Sequence, residues 1–579
     1  MALSRISLLS LMVTACLCVA PSSYACEGDQ YCPPERAKNR GSISLDFFKN
    51  EHDIRPVETP AEDVQLDIQG DTLYALLEKG NVAGERLNHL ATLRSFYNQR
   101  NFQPVWLKRD RLNDDAREII KIFETSWSHG LNPFSYHLNA IRSLSSQSTS
   151  NSYFAIEVLL SDAFIKLGQD LTGIRIDPSE LKSHKRFWQK PLTADYLLSL
   201  LGSDDVDDVI ASIGPRGETY NRLRKELVSL VEEKPEPYEA ILPIRLSGSL
   251  RPYEQHSAVR DLRVRFNVRG EGNLYDDVLA AAVLRFQKEN NLEPDGIIGS
   301  ATLRVINQTR KQKIHQIIAN LERLRWVPED KPDKFVIVNV PSAMLWAVED
   351  NRVAFDMPVI VGRKKRPTNI FITEITGIRL NPTWTVPPTI KKEDILPELI
   401  EDARYLDSKG MELVYGRGKD ALTLDPTAID WTTVSEDELK SLRMIQVPGA
   451  HNPLGYYRVL MPNSYNIYLH DTNERHYFSK PGRAVSSGCV RLKDPRRMAD
   501  FILREKRGWS DEKTDKVLDS GDLSDLYVQN TIPVYIVYYT AWVDDDGSVV
   551  LGHDLYDYDE KVIKMLSNLD EIFIPVDNT

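Results

Sequence analysis

The stretch Ala484-Val485-Ser486-Ser487-Gly488-Cys489-Val490-Arg491-Leu492, together with Ile467-Tyr468-Leu469-His470-Asp471-Thr472, decides how the second half of this chain folds. Residues 465–471 alternate, Ile467 and Leu469 on one face, Tyr468 and His470 on the other, the pattern of a half-buried strand. Cys489 follows a glycine in a tight turn, and Asp494-Pro495 then offers an N-cap and a first-turn proline for a helix over residues 496–506. Gly488 lets the main chain approach a substrate carbonyl without a side chain in the way. Arg491, Arg483 and the nearby helix start are expected to favour thiolate over thiol at Cys489. A thiol nucleophile needs a base to take its proton and return it to the leaving group, and His470 is the candidate. Spacing alone does not decide this, because the two need only meet in space.

Outward from this pair the period is that of strands. Residues 335–340, 343–348 and 353–361 are β-rich, with a turn at 349–352 between the last two, and further strands fit 371–380, 466–470 and 534–539. Residues 384–448 form a charged insert with helical stretches around 390–400, the kind of insertion that serves as a lid or cap. Upstream, residues 244–310 make a small unit of three short helices: one marked by Val259, Leu262 and Phe266, a second capped by Asp276, a third over 300–306. Residues 61–240 read as helical, with an amphipathic start at Leu87, Leu90, Ala91 and Arg94. An apolar helix covers 155–167, and Asp177-Pro178 is expected to open another. The Glu/Pro-rich residues 232–239 mark a boundary.

Composition bounds the rest. The chain has 579 residues, 72 Lys+Arg against 84 Asp+Glu and a net charge of −12, with 42% apolar and 27% charged residues. That is ordinary globular protein, long enough for about four domains, and too acidic for bulk nucleic-acid binding. Residues 1–25 read as a signal peptide, with Arg5 before an apolar run too short for a bilayer span and Ser23-Tyr24-Ala25 before the cut. Export to the periplasm follows, with no transmembrane helix in the mature chain. Val13-Thr14-Ala15-Cys16 resembles a lipoprotein box, a less favoured route that leaves Cys16 lipidated at the outer membrane. Residues 26–60 are polar linker, within which Cys26 and Cys32 are close enough to pair. Cys489 stands alone, either as apolar filler or as a thiol kept for its chemistry.

Two resemblances add to this reading. Residues 281–306, with their FQKENNL, DGIIG and ATL elements, resemble the three-helix peptidoglycan-binding domain of many wall enzymes. IYLHDT followed by AVSSGCVRL closely resembles the active-site signature of the L,D-transpeptidases, whose catalytic domain is the YkuD type. The agreement extends to NPTWTVPPTI, KKEDILPELI, GYYRVLMPN and IPVYIVYYTA, and is similar to the large periplasmic, YcbB-like subgroup with a scaffold and a peptidoglycan-binding domain.

The resemblance implies a multidomain α+β protein. Its parts are a helical scaffold (61–240), a peptidoglycan-binding bundle (244–310), and a β-rich catalytic domain (330–515) with a capping insert (384–448). A strand and hairpin extension (516–579) follows. It implies that Cys489 is acylated by a tetrapeptide stem and that His470 accepts and returns the proton. Many members carry His where this chain has Ser487, and the family role there is a main-chain carbonyl that orients the histidine. Backbone N–H groups around Gly488 and Cys489 would stabilise the oxyanion. Arg491 is expected to hold a stem carboxylate, with Tyr468, Trp384 and Ser486 as further substrate contacts. The acyl group passes to the side-chain amine of a second stem, cross-linking two third-position residues. The expected partners are peptidoglycan stems as donor and acceptor, with other cell-wall synthesis proteins; carbapenems are the implied inhibitors.

Two other readings stay open: a hydrolase of the same fold in which water replaces the acceptor, and a non-catalytic wall-binding scaffold. No cofactor is implied. His470 and His476 lack an HExxH context, so no metal site is expected, and Asp544-Asp545-Asp546-Gly547 reads as a hairpin turn rather than a calcium loop. His451 and His553 carry no signal.

Overall fold

The computed structural model describes residues 68–566 except 110, 184–187, 203–204, 233–242, 291, 417, 419–420, 481 and 545. The expected signal peptide, the linker, Cys16, and the Cys26 and Cys32 pair lie outside the described residues, as does most of the 232–239 boundary.

The N-terminal part is built around one helix, Ser150–Thr172, whose 23 residues are apolar on nearly every side and therefore buried along most of their length. A Thr149/Ser152 capping box starts it. Asp177-Pro178 opens only a single 3₁₀ turn, Pro178–Leu181, which Lys182 ends at φ +56°. The small unit that follows has helices Val259–Arg265, Asp277–Glu289 and Ser300–Ile306 around its own core. Asp276 caps the second of these by accepting from the Leu279 N–H.

A nine-stranded sheet carries the catalytic half. Its strands are β1 (Lys334–Asn339), β2 (Met344–Glu349), β3 (Arg352–Gly362), β4 (Phe371–Leu380), β5 (Tyr457–Leu460), β6 (Leu469–His470), β7 (Ala484–Ser486), β8 (Val490–Leu492) and β9 (Ser524–Val537). The order is β7-β3-β8-β6-β5-β4-β9-β1-β2, and a further pairing of β2 with β3 closes the sheet on itself. The parallel pairs are β6–β8, β7–β3 and β9–β1. Alternate residues such as Ile378, Val459, Leu469 and Val490 enter the core, as the two-residue period requires.

The insert is a small structure of its own. Strands 422–424, 411–415, 442–446 and 384–385 form a four-stranded sheet in that order, over a core that includes Leu399, Trp431 and Met444. Its entrance is one continuous helical run: Pro388–Ile390, a π-helical segment Lys391–Ile395, then Leu396–Glu401. Buried Lys391 donates to the carbonyls of Leu439 and Leu442, which fixes that segment to the end of the insert. After the catalytic sheet, Ala541–Val543 and Val549–Leu551 pair as a hairpin. Asp544 accepts from the backbone N–H groups of Asp546 and Ser548 in its turn. The hairpin packs on helices Glu218–Glu232 and Arg310–Leu324.

Two buried contacts tie the parts together, the first joining the helical part to the sheet and the second joining it to the helix Arg310–Leu324 that precedes the sheet. Ser183 Oγ donates to the Ile370 carbonyl at the start of β4, and accepts from Trp188 Nε1. Glu322, fully buried, accepts from the Arg175 backbone N–H and Nε, from Arg325 Nη2 and from Trp326 Nε1. Burial alone raises its carboxyl, but Arg175 and Arg325 hold it down at about 2, so it stays charged. Glu322→Gln leaves Arg325 buried and uncompensated. We expect a loss of about 3–5 kcal/mol, read as a lower urea midpoint in tryptophan fluorescence. An unchanged midpoint would show that the pair does not hold the parts together.

Candidate active site

Strand register builds the site. In the parallel pair β6–β8, Leu469 lies opposite Val490 and His470 opposite Arg491. Leu469 and Val490 go into the core, so His470, Arg491 and, two residues back on each strand, Tyr468 and Cys489 share the other face. The Val490 N–H donates to the Tyr468 carbonyl and locks this alignment at the cysteine. The strand expected over 466–470 is only two residues long. Asn463 bends the chain ahead of it, accepting from the Tyr465 and Ile467 N–H groups, and Asn466 takes φ +56°.

The turn that presents Cys489 is held by hydroxyls. Ser486 Oγ donates to the Cys489 carbonyl at 2.7 Å and accepts from the Gly488 N–H at 3.1 Å. Thr368 Oγ1 donates to the Gly488 carbonyl and accepts from the Gly362 N–H, both at 2.8 Å. Gly488 sits at φ +116°, a conformation that side-chain-bearing residues rarely adopt. Two expectations change here. Ser486 is buried and serves the turn rather than the substrate, and the Gly488 N–H is already committed to it, so it is not a free oxyanion donor.

His470 is 4% exposed, and its Nδ1 hydrogen-bonds the Asp471 carbonyl at 2.5 Å. The carbonyl that orients the ring is therefore that of the next residue, not that of Ser487. With Nδ1–H donating, Nε2 is the free acceptor. Asp471 is itself fixed. Its carboxylate accepts from the Tyr456 and Thr472 N–H groups and from Arg475, and it packs so close to Gly455 (φ +59°) that any side chain there would collide. Burial first, then the charges of Arg491 and Arg458, hold the imidazole down at about 3, so it is neutral at physiological pH.

Cys489 is partly exposed, with Sγ 3.7 Å from the Asn466 carbonyl. Burial of the sulfur pushes its thiol up, and the Tyr468 N–H, Arg458 and Arg491 offset this only in part. The expected thiolate is thus replaced by a neutral thiol. Arg483 does not act on it: its guanidinium is held by the carbonyls of Val359, Ser342 and Ala343.

The remaining expected contacts divide. Arg491 Nη1 is engaged by Glu474 Oε2 at 2.5 Å. Ser487 Oγ accepts from Arg366 Nη1 at 3.0 Å, and the same guanidinium pairs with Glu393 and Asp394 of the insert, tying the cap to the nucleophile turn. Trp384 is half-buried against the core of the insert. Tyr468 lies under Arg458, whose guanidinium carbon is 3.9 Å from the ring centroid. Arg458, Arg366, Thr368 and Glu474 were not singled out from sequence. The motif GYYRVLMPN contains Arg458, but nothing local says that it faces His470. Among the described residues no group of three or more His, Cys, Asp or Glu side chains could hold a metal.

Residues 333–536, which hold the closed sheet, the inserted cap and the Cys/His face, match the family model described as an L,D-transpeptidase catalytic domain, the YkuD type. Residues 91–227 match a scaffold domain and residues 256–306 a "Putative peptidoglycan binding domain". A Haemophilus influenzae protein described as a "Putative L,D-transpeptidase" is 33% identical over 258 residues, 44% of this chain and 51% of that one. The chain thus spans about half the length of this relative. Among solved structures, an Enterococcus faecium L,D-transpeptidase mutant aligns at 10% identity over 35% of this chain and 50% of that one, with a TM-score of 0.16. A Xylanimonas cellulosilytica L,D-transpeptidase aligns at 13% identity over 50% of this chain and 98% of that one, also at 0.16.

The neutral pair makes a pH prediction. With His470 near 3 and burial pushing the Cys489 thiol up, kcat/KM for acylation is expected to stay level from pH 7 to pH 5. Iodoacetamide alkylation of Cys489 is expected to inflect at higher pH than an ordinary exposed thiol. An inflection of either near 6.5 would contradict it. Stability, unlike activity, depends on pH through His470. As pH falls from 6.5 toward 3, the unfolded chain binds a proton that folded His470 refuses, which costs up to about 1.4 kcal/mol per pH unit.

Proposed function

We propose that this protein is an exported peptidoglycan L,D-transpeptidase of the periplasm that joins stems through their third residues. The observation that carries the reading is the neutral His470, oriented by the Asp471 carbonyl and sharing a sheet face with Cys489. In the first half-reaction His470 Nε2 takes the Cys489 thiol proton as Sγ attacks the carbonyl between the third residue, meso-diaminopimelate, and the terminal D-Ala. The Cys489 N–H, for which no bond to a described residue exists, serves the oxyanion, a donor worth about 3–4 kcal/mol. The carbon–nitrogen bond breaks, the His470 proton passes to the departing amine, and a thioester remains. In the second half the amine of another stem attacks the thioester and gives a proton to His470, which returns it to the Cys489 sulfur.

A neutral pair suits this sequence, because His470 must act as base and acid in turn within each half. The match of residues 256–306 to a peptidoglycan binding domain supports the same substrate. The cap, linked through Arg366 to Ser487, is the element positioned to select the acceptor.

Mature protein incubated with tetrapeptide-stem muropeptides is expected to give dimers with loss of one D-Ala per link, absent with Cys489→Ala. Tripeptide monomers without dimers would instead favour the hydrolase, and no Cys489-dependent product would leave a binding scaffold. The paired change Glu393→Gln, Asp394→Asn releases the cap from Arg366. Dimer yield is expected to fall about fivefold, the effect of roughly 1 kcal/mol from two exposed ion pairs, with acylation nearly unchanged. Equal loss in both steps would argue against a cap role in acceptor choice.

A further inference from the structure

Five residues stand directly opposite one another across the sheet: Asp525 on β9, Arg379 on β4, Arg458 on β5, His470 on β6 and Arg491 on β8. Directly opposite residues project to the same face, so this is a row of charge running to the catalytic histidine. The arginines at its ends have carboxylates. Arg379 is bidentate with Asp525 at 2.7 and 2.9 Å, and Arg491 holds Glu474.

Arg458, between them, has none. It is 6% exposed, its Nε is buried without a hydrogen-bond partner, and its guanidinium forms no ion pair with a described residue. The nearest compensation is the Tyr468 ring beneath it. A cation–π contact offsets only part of the cost of burying an unpaired charge. Asp525 feels the Arg458 charge, but both its oxygens are held by Arg379. Arg458 is beside His470 in register, and Tyr468, the residue under it, is aligned with Cys489. Strands lie about 4.8 Å apart, and one residue of extended peptide spans about 3.5 Å. An acyl donor seated on Cys489 therefore brings groups one residue from its scissile bond within reach of this guanidinium.

We propose that Arg458 is the carboxylate-binding residue of the donor site, accepting a stem carboxylate in a bidentate pair. This rests on the transpeptidase reading above. Arg491, first expected in that role, is occupied by Glu474 and shapes the charge around His470 instead. Two carboxylates of a donor stem meet the geometry: the terminal one of the leaving residue, and the side-chain one of the third residue.

The test measures D-Ala release, and release of D-alaninamide from the terminal amide. Wild type, Arg458→Gln and Arg458→Lys are each given the free tetrapeptide, its C-terminal amide, and the form amidated on the third-residue side chain. Wild type is expected to lose about ten- to a hundredfold in kcat/KM on one amide, the range for a charge-assisted hydrogen bond. R458Q should lose a similar factor on the free acid and then no longer distinguish that amide, while R458K recovers part of the discrimination. The amide that shows this coupling identifies the carboxylate. If R458Q loses the same factor on all three substrates, Arg458 acts only through its charge on His470 and Cys489, and the inference is overturned. Wild type inactive on every substrate would overturn the transpeptidase reading and this inference with it.

Discussion

Cross-strand register through β4, β5, β6 and β8 is the constraint on which the site depends. Ile378, Leu380, Val459, Leu469, Val490 and Leu492 are buried in the core. Because side chains alternate, burying them leaves Arg379, Arg458, His470 and Arg491 on the opposite face. A slip of one residue in β6 would exchange Leu469 for His470 in the core, costing the burial of one and the desolvation of the other. The apolar residues thus specify the register, and the register specifies the chemistry. Rigidity at the nucleophile comes from elsewhere: Thr368 and Ser486 hold both carbonyls flanking the turn, and Tyr556 Oη in turn donates to the Gly362 carbonyl beneath Thr368.

The electrostatics follow from the same placement. Burial first, then Arg491 and Arg458, keeps the imidazole neutral, and burial of the sulfur keeps the thiol protonated, although those arginines favour the thiolate. At the sulfur desolvation outweighs charge: Arg491 is partly neutralised by Glu474, and unpaired Arg458 offsets the burial only in part. A resting neutral pair separates charge only when a carbonyl is in place to receive the sulfur, which ties proton transfer to substrate binding. The helical part enters this economy through the Ser183 contact to Ile370, which braces β4 at its start.

Much of this was legible where local chemistry decides. The strand 371–380 and the third helix at 300–306 match their expected bounds, and Asp276 and Asp494 cap as read, each accepting from the N–H three residues on. Asp177-Pro178 has the same cap signature but gives one 3₁₀ turn, because the chain reverses at Lys182 and takes Ser183 and Trp188 into buried contacts with the sheet. The alternation expected over 465–471 holds in burial only from Asn466 to Leu469, because His470 and Asp471 are buried as well, and it exceeded the strand, since the Asn463 side chain takes the backbone bonds a longer ladder would need. Arg458 and Glu474 were invisible for a different reason. Arg458 matters through the strand pairing that sets it opposite His470, and Glu474 through an ion pair from the loop after β6, and neither contact leaves a periodic signal along the chain. The role of Ser486 was misread because a hydroxyl beside a nucleophile looks the same in sequence whether it faces substrate or the turn.

At rest Cys489 and His470 form a neutral pair, with the proton on Nδ1 of the imidazole. Nitrogen-15 NMR of histidine-labelled protein tests it directly, with Cys489→Ala as control and His470→Asn to assign the signal. A neutral ring protonated at Nδ1, unchanged in shift between pH 8 and pH 5, is expected. An imidazolium at pH 7 that becomes neutral in Cys489→Ala would instead reveal a thiolate–imidazolium pair and contradict it.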